Sequence, residues 1–372
     1  WIPAGARLHA APEPDSVMVG RVESISRLEV RERRGEWRRV RHGGREGWLR
    51  LSEAGEGSGP PLGSEPEPVL PLAGQPPDAE LLARGRRLLH QPHALADLGP
   101  YTLYTDITDA GLLDYCDRLA GQVEEVYRQR YGLEPVGDAA EGLLIFRREQ
   151  SYREFQGLDA RLAGLNPSGH SSRGIVALYV GARSRWEVGA TLVHELTHLL
   201  NRRALGPALP PWLDEGLAED LAWAEVDSLG RLHPERLGGE SVQIGNLLVR
   251  RGPAAAAPEL ERALASGRTG DLERLVTMDW EEFVRPADRR LNYAQSAFWV
   301  RYLLDGPDPL LGESFSAFLA EVSRGGRLEG DSLRARLGRD WPELEAGFRD
   351  WFDREVVAVL RQRLADQAAK AG

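Results

Sequence analysis

An α+β protein is what this sequence predicts: a small all-β module, a linker, a mixed α/β segment and a helical C-terminal half. Three observations carry that prediction. Residues 1–51 consist of short apolar-polar runs separated by polar or glycine turns. Residues 52–78 are rich in Gly, Pro, Ser and Glu, a composition that cannot bury a core and reads as an extended linker. Beyond them, strand and helix periodicities alternate over 79–225, and past Trp212 nearly every segment reads as helix, with 226–358 a helical subdomain and 359–372 a charged helical tail.

Composition narrows the function. With 372 residues, 42% hydrophobic and 28% charged, the chain is long enough for two domains of ordinary globular composition. Its net charge of -10 argues against a nucleic-acid partner, which needs a clustered basic surface. Lys370 is the only lysine, so the basic residues are almost all arginine. A single cysteine, Cys116, excludes an intrachain disulfide and a zinc site built from cysteines. No apolar run approaches the roughly 18 residues of a membrane helix. The sequence opens at Trp1, from which we expect a leader removed upstream and an extracytoplasmic setting.

The elements follow in order. Short strands are expected over 17–22, 28–32, 37–42 and 47–49, with Trp37 and Trp48 as core or groove aromatics. Past the linker, 101–104 reads as a strand and 112–131 as an amphipathic helix with Leu112, Leu119, Val123 and Val126 on its buried side. Strands are expected at 142–146 and 173–180, with a helix over 151–162 between them. A helix over 186–203 buries Leu192, Val193, Leu196 and Leu199 and is stopped by Gly206 and Pro207.

That last helix carries His194-Glu195-Leu196-Thr197-His198. Histidines four apart present both imidazoles on one helix face, the arrangement of two ligands on one tetrahedral zinc. Glu195 lies beside them, where a carboxylate can take a proton from a water held by the metal. A helix with two merely solvated histidines would not sit in the mostly apolar window 191–200. A catalytic zinc needs a third protein ligand and an open fourth position. The segment Trp212-Leu213-Asp214-Glu215-Gly216-Leu217-Ala218-Glu219 supplies acidic candidates for it.

These two segments together resemble the gluzincin metallopeptidases, most nearly the peptidase MA-like branch, in which "P-x-W-[LI]-x-E-G-x-A" follows the histidine helix. The resemblance implies a zincin-type catalytic domain and a Zn2+ cofactor on His194, His198 and Glu215. It implies Glu195 as general base and Glu219 as the acid that orients a ligand histidine, with Asp214 a weaker competitor. The gap from His198 to Glu215 is shorter than in thermolysin and must be bridged by a tight loop at 205–211. Asn292-Tyr293-Ala294-Gln295-Ser296-Ala297 resembles the "Y-x-x-[GS]-[AS]" segment of gluzincin aminopeptidases, so Tyr293 is expected to stabilise the oxyanion. Gln295 and Ser296 are weaker candidates for substrate contact. By the same resemblance an edge strand at Gly174, Ile175, Val176 and Ala177 would bind substrate backbone. That strand lacks the glutamate of an aminopeptidase "G-x-M-E-N" motif, which favours an endopeptidase. The preceding loop 166–170 could face the cleft; within it His170 reads as a loop histidine, and His90 and His93 read as structural.

Residues 28–49, with Trp37-Arg38-Arg39-Val40 and Gly47-Trp48-Leu49, resemble bacterial SH3-like domains, which implies a small barrel with a cell-wall or peptide ligand. Peptide-bond hydrolysis is the leading expectation. Two alternatives stand beside it: a wall- or peptide-binding protein with a structural or vestigial zinc, and a zinc amidase acting on peptidoglycan.

Overall fold

The computed structural model describes residues 7–13, 16, 18–21, 29–34, 37–42, 45–50, 77–90, 93–98, 101–136, 142–159, 167–244, 247–269, 271–326 and 330–362. The expected linker up to residue 76 and the tail beyond 362 lie outside the described residues. The chain divides into two units, Trp1–Glu67 and Pro68–Gly372.

The first unit is one antiparallel sheet of five strands: β1 (Arg7–His9), β2 (Met18–Arg21), β3 (Glu29–Arg34), β4 (Trp37–His42) and β5 (Arg45–Arg50), in the order β2-β1-β5-β4-β3. Among the described residues β2 and β3 do not pair, so the sheet is open and the expected barrel is not closed. Leu8, Trp37, Val40, Trp48 and Leu49 are buried, and the His9 ring meets Trp37 edge-on at 5.2 Å. Both tryptophans therefore serve the core of this sheet.

The second unit is a mixed α+β body. After α1 (Ala79–Arg87), capped by Asp78, come β6 (His93–Leu98), β7 (Tyr101–Thr105), α2 (Ala110–Tyr131), β8 (Gly142–Phe146), α3 (Glu149–Gln156), β9 (Gly169–Ser172), β10 (Ile175–Tyr179), α4 (Arg185–Leu205) and α5 (Pro211–Ala222). The five strands lie in the order β6-β7-β8-β10-β9, with β7, β8 and β10 parallel and the two outer strands antiparallel. Period-two alternation puts Leu143, Ile145, Val176 and Leu178 on the face packed with α2 and α4. Leu144, Phe146, Ile175 and Ala177 join Leu81, Tyr152 and Phe155 in a second cluster on the other face. A sheet buried on both sides explains the nearly continuous apolar runs of β8 and β10.

This topology corrects one expectation. The strand at 174–177 is not an edge: Ile175, Val176 and Ala177 are paired with β8 on one side and β9 on the other, and Gly174 lies in the turn before them. Their backbone groups are committed, so they cannot take up a substrate strand. The edge belongs to β9.

After α5 the chain makes two hairpins, β11 (Ala224–Val226) with β12 (Leu232–Leu237) and β13 (Glu240–Ile244) with β14 (Leu247–Arg251), where helix was expected. Helices then follow: α6 (Pro253–Ala265), α7 (Leu272–Thr277), α8 (Trp280–Phe283), α9 (Arg289–Asp305), α10 (Pro309–Val322), α11 (Gly330–Leu337) and α12 (Trp341–Trp351), the last running into a π-helical turn, Phe352–Val357. No helix among the described residues is long and apolar enough to cross a membrane.

Two glycines fix how the elements approach one another. A Cβ on Gly216 of α5 would stand 2.8 Å from Val300 Cγ2 and 3.0 Å from Ser296 O of α9. A Cβ on Gly169 of β9 would stand 2.7 Å from Thr191 Cγ2 and 3.0 Å from Glu195 Cγ of α4. Only a residue without a side chain lets α5 lie against α9, and β9 against α4, this closely.

Candidate metal centre

α4 begins with a capping box, in which Ser184 Oγ accepts from Glu187 N at 3.2 Å and Glu187 Oε2 accepts from Ser184 N at 2.9 Å. Two turns later the helix presents His194 and His198 to a cleft of about 1030 Å³. Their Nε2 atoms lie 3.0 Å apart, with the rings near perpendicular at 84°. α5 starts at Pro211 in its first turn, where proline costs no hydrogen bond, and brings Glu215 across from α4. Glu215 Oε2 is 3.4 Å from each Nε2.

These three side chains could hold a metal ion. Donor atoms bound tetrahedrally to zinc at about 2.0–2.2 Å stand about 3.4 Å apart, close to the 3.0, 3.4 and 3.4 Å found here. Glu215 Oε2 is buried and accepts no hydrogen bond among the described residues. A buried carboxylate oxygen left in that state is costly unless a cation meets it. The donor set therefore fits zinc.

Glu195 lies in the lining of the same cleft, itself buried. Burial raises its pKa, and the two imidazoles pull against that shift. For Glu215 the balance is reversed: burial pushes it up, but His198 and His194 outweigh burial and hold it well below the usual carboxylate range.

Around these three side chains stand further polar groups. Glu219 Oε1 is 3.7 Å from His194 Nδ1. Asp214 Oδ1 is 2.9 Å from His198 Nδ1, so the residue expected only as a competitor faces that ring directly. Asn201 Nδ2 donates to Asp214 Oδ1 at 2.8 Å and to Asp214 O at 3.1 Å, and the Tyr127 hydroxyl donates to Asn201 Oδ1 at 3.0 Å. Tyr293, on the first turns of α9, donates from its hydroxyl to Glu215 Oε1 at 2.8 Å. Gln295 and Ser296 are buried in the α9 packing, turned away from the cleft they were expected to line.

Three features of the site go beyond the sequence reading, although a cleft-facing segment 166–170 is among its expectations. His170 is not in a loop but on β9, where it lines the cleft and meets Tyr152 Oη at 3.1 Å through Nδ1. Burial lowers its pKa to about 4, so it is neutral at physiological pH. Asn201, the residue three past His198, gave no chemical signal in the sequence. Arg183 lies in the cleft wall.

No protein-family model matches the chain, and no curated protein matches its sequence. Among solved structures it is similar to an M1 zinc metallopeptidase from Deinococcus radiodurans and to a glutamate-to-alanine mutant of that enzyme. Identity is 14% and 15%, and the TM-score is 0.33 in both cases. The match covers 70% of this chain and 51% of those, so the chain spans about half the length of the enzymes it resembles. A likeness this remote carries no functional argument.

Proposed function

We propose that this protein is a zinc-dependent metallopeptidase that hydrolyses internal peptide bonds, with zinc on His194, His198 and Glu215. The observation that carries the reading is the convergence of Nε2, Nε2 and Oε2 from two helices beside a buried glutamate in an open cleft. A structural zinc is closed by four protein ligands; among the described residues three converge, on the wall of an open cleft. When bound, zinc supplies Lewis acidity, lowering the pKa of a water to about 7 and polarising a carbonyl.

The side chains divide the remaining work. Glu195 accepts the proton of the attacking water and delivers it to the leaving amine. Asp214 and Glu219 hold Nδ1 of His198 and His194, so both Nε2 lone pairs face inward. The Tyr293 hydroxyl, resting on Glu215 Oε1, is the donor that turns to the developing oxyanion. The outer edge of β9, which lines the cleft beside Glu195, offers backbone groups to an extended peptide.

Within this proposal the N-terminal sheet is an SH3-like module for a wall polymer or peptide, and the setting is extracytoplasmic. Since Trp37 and Trp48 serve the core, ligand contacts fall on its other residues. A peptidoglycan amidase would use the same residues; a scaffold with a vestigial zinc gives no role to Glu195. The test is direct. Purified protein should carry one zinc and cleave casein or a peptide library, losing activity to a chelator. Glu195→Gln should retain zinc while turnover falls by at least about 10³-fold. A fully active Glu195→Gln protein would sink the mechanism.

A further inference from the structure

Arg183 is a cation that the proposed chemistry does not use. It precedes Ser184, the N-cap of α4, and is one of the residues lining the cleft. Nη1 donates to Tyr179 O at 2.9 Å, and Nη2 to Glu187 O at 2.7 Å and to Thr191 Oγ1. Its carbon lies 5.4 Å from the centre of the Tyr179 ring. All of these partners are uncharged. They engage three of the five N–H donors that a guanidinium carries, which leaves two for a ligand.

Among the described residues no carboxylate forms an ion pair with Arg183. Glu187, the acid nearest in sequence, is occupied: it caps Ser184 and pairs with Arg251 at 3.0 Å. Burial pulls the Arg183 pKa below its ordinary value, with Glu187 and Glu195 acting only through the field. A half-buried cation without a counter-ion is unfavourable by itself. Fixed by three neutral acceptors at the wall of an open cleft, it is a place prepared for an incoming anion.

Position defines which anion. Thr191, which anchors the guanidinium, is one helical turn before Glu195 on α4, a rise of about 6 Å. That is about two residues of an extended peptide. The cleft is lined by six arginines and seven carboxylates, four of them being Glu195, Asp214, Glu215 and Glu219, in a chain whose net charge is -10. Arg250 and Arg289 at this cleft make no ion pair among the described residues.

We propose that Arg183 binds a substrate carboxylate, so that the preferred peptides carry one within about two residues of the scissile bond. The carboxylate is an Asp or Glu side chain; a response to the peptide's own C-terminus instead would move the cleavage from internal bonds to bonds near the chain end. The inference rests on the peptidase reading, and its test separates the two. Zinc-loaded wild type, Arg183→Gln and Arg183→Lys would be assayed on peptides differing only in Glu against Gln at each flanking position, and in a free against an amidated C-terminus. Wild type should favour the carboxylate member of one pair by about 10- to 100-fold in kcat/KM, mainly through KM. Arg183→Gln should bring that ratio close to one, and Arg183→Lys, which keeps charge but loses the planar fork, should give an intermediate ratio. Which pair responds identifies the carboxylate.

An unchanged ratio in both variants overturns the proposal. So does an equal loss on every peptide with a lowered Tm, since that marks Arg183 as a clamp on the start of α4. Should wild type cleave nothing, the peptidase reading fails while this inference is decided by calorimetric titration with the same peptides. There the carboxylate member should bind wild type about 10-fold tighter than Arg183→Gln. Equal binding overturns it.

Discussion

His194 and His198 are one turn apart on the same helix, yet they are held in different ways. Behind His198 stands a chain of short contacts that runs from Asp214 through Asn201 to Tyr127, crossing from α5 through α4 to α2 and ending in a fully buried ring. Behind His194, among the described residues, stands Glu219 alone, at 3.7 Å and partly exposed on the cleft wall. One imidazole is fixed by the core; the other faces a carboxylate with slack. Rigidity on one side and adjustability on the other is what a site needs if its coordination is to change as substrate enters.

The contrast depends on α5 being anchored apart from the metal. Asp220, one residue beyond Glu219, is fully buried. It pairs with Arg130 of α2 at 2.5 Å and Arg301 of α9 at 2.9 Å, and accepts from the Tyr131 hydroxyl at 2.9 Å. Asp220→Ala leaves the buried Arg130 and Arg301 guanidiniums with the partly exposed Asp305 as their remaining carboxylate among the described residues and should cost about 3 kcal/mol of stability, the largest effect we expect. Urea unfolding of the chelator-treated protein measures it. Burial raises the Asp220 pKa, but Arg130 and Arg301 outweigh burial and leave it lowered. A carboxyl depressed in the folded state stabilises above its ordinary pKa of about 3.9 and loses that contribution as pH falls through the folded value. The stability gap between wild type and Asp220→Asn should therefore shrink with acidification below about pH 4. A gap that widens there would refute the assignment.

The two histidine supports can then be set against each other. Asp214→Ala should weaken zinc by about 100-fold and Glu219→Ala by about 10-fold, the two ends of the range for groups behind a metal ligand. Competition with a chromogenic chelator reads both. Reversed magnitudes would mean that the 3.7 Å contact at His194 closes when zinc binds, and that His194 is the firmly held ligand.

How much of this was legible in the sequence follows from how local each feature is. His194, Glu195 and His198 lie within one turn and a half of one helix, so spacing alone placed them. Glu215 and Glu219 came from a motif on a second helix. The contact of Asp214 with His198 depends on how α4 crosses α5, which no spacing encodes. Gly169–Ser172 was missed as a strand because Gly and Ser carry little β propensity; it is a strand because α4 and β10 leave room for a backbone without bulk. Misplacing the edge at 174–177 had the same origin, since an apolar run says that a strand is buried, not which neighbours flank it. The two hairpins between α5 and α6 were read as helix because their pattern only resolves into strands through pairing such as Val242 opposite Val249.

The far end of the His198 chain gives the smallest and most discriminating prediction. Tyr127→Phe keeps the ring in the core and removes only the donor to Asn201 Oδ1. The loss should be about 1 kcal/mol in stability, the lower end for a buried acceptor left without a partner. If the chain transmits order to the metal, zinc should also weaken, by about 2- to 5-fold, while Tyr131→Phe, on the same helix but directed at Asp220 and Leu217 O, should cost stability without that change. Equal zinc affinity in the two variants would show that the order behind His198 stops at Asp214, and that the asymmetry between the histidines is one residue deep.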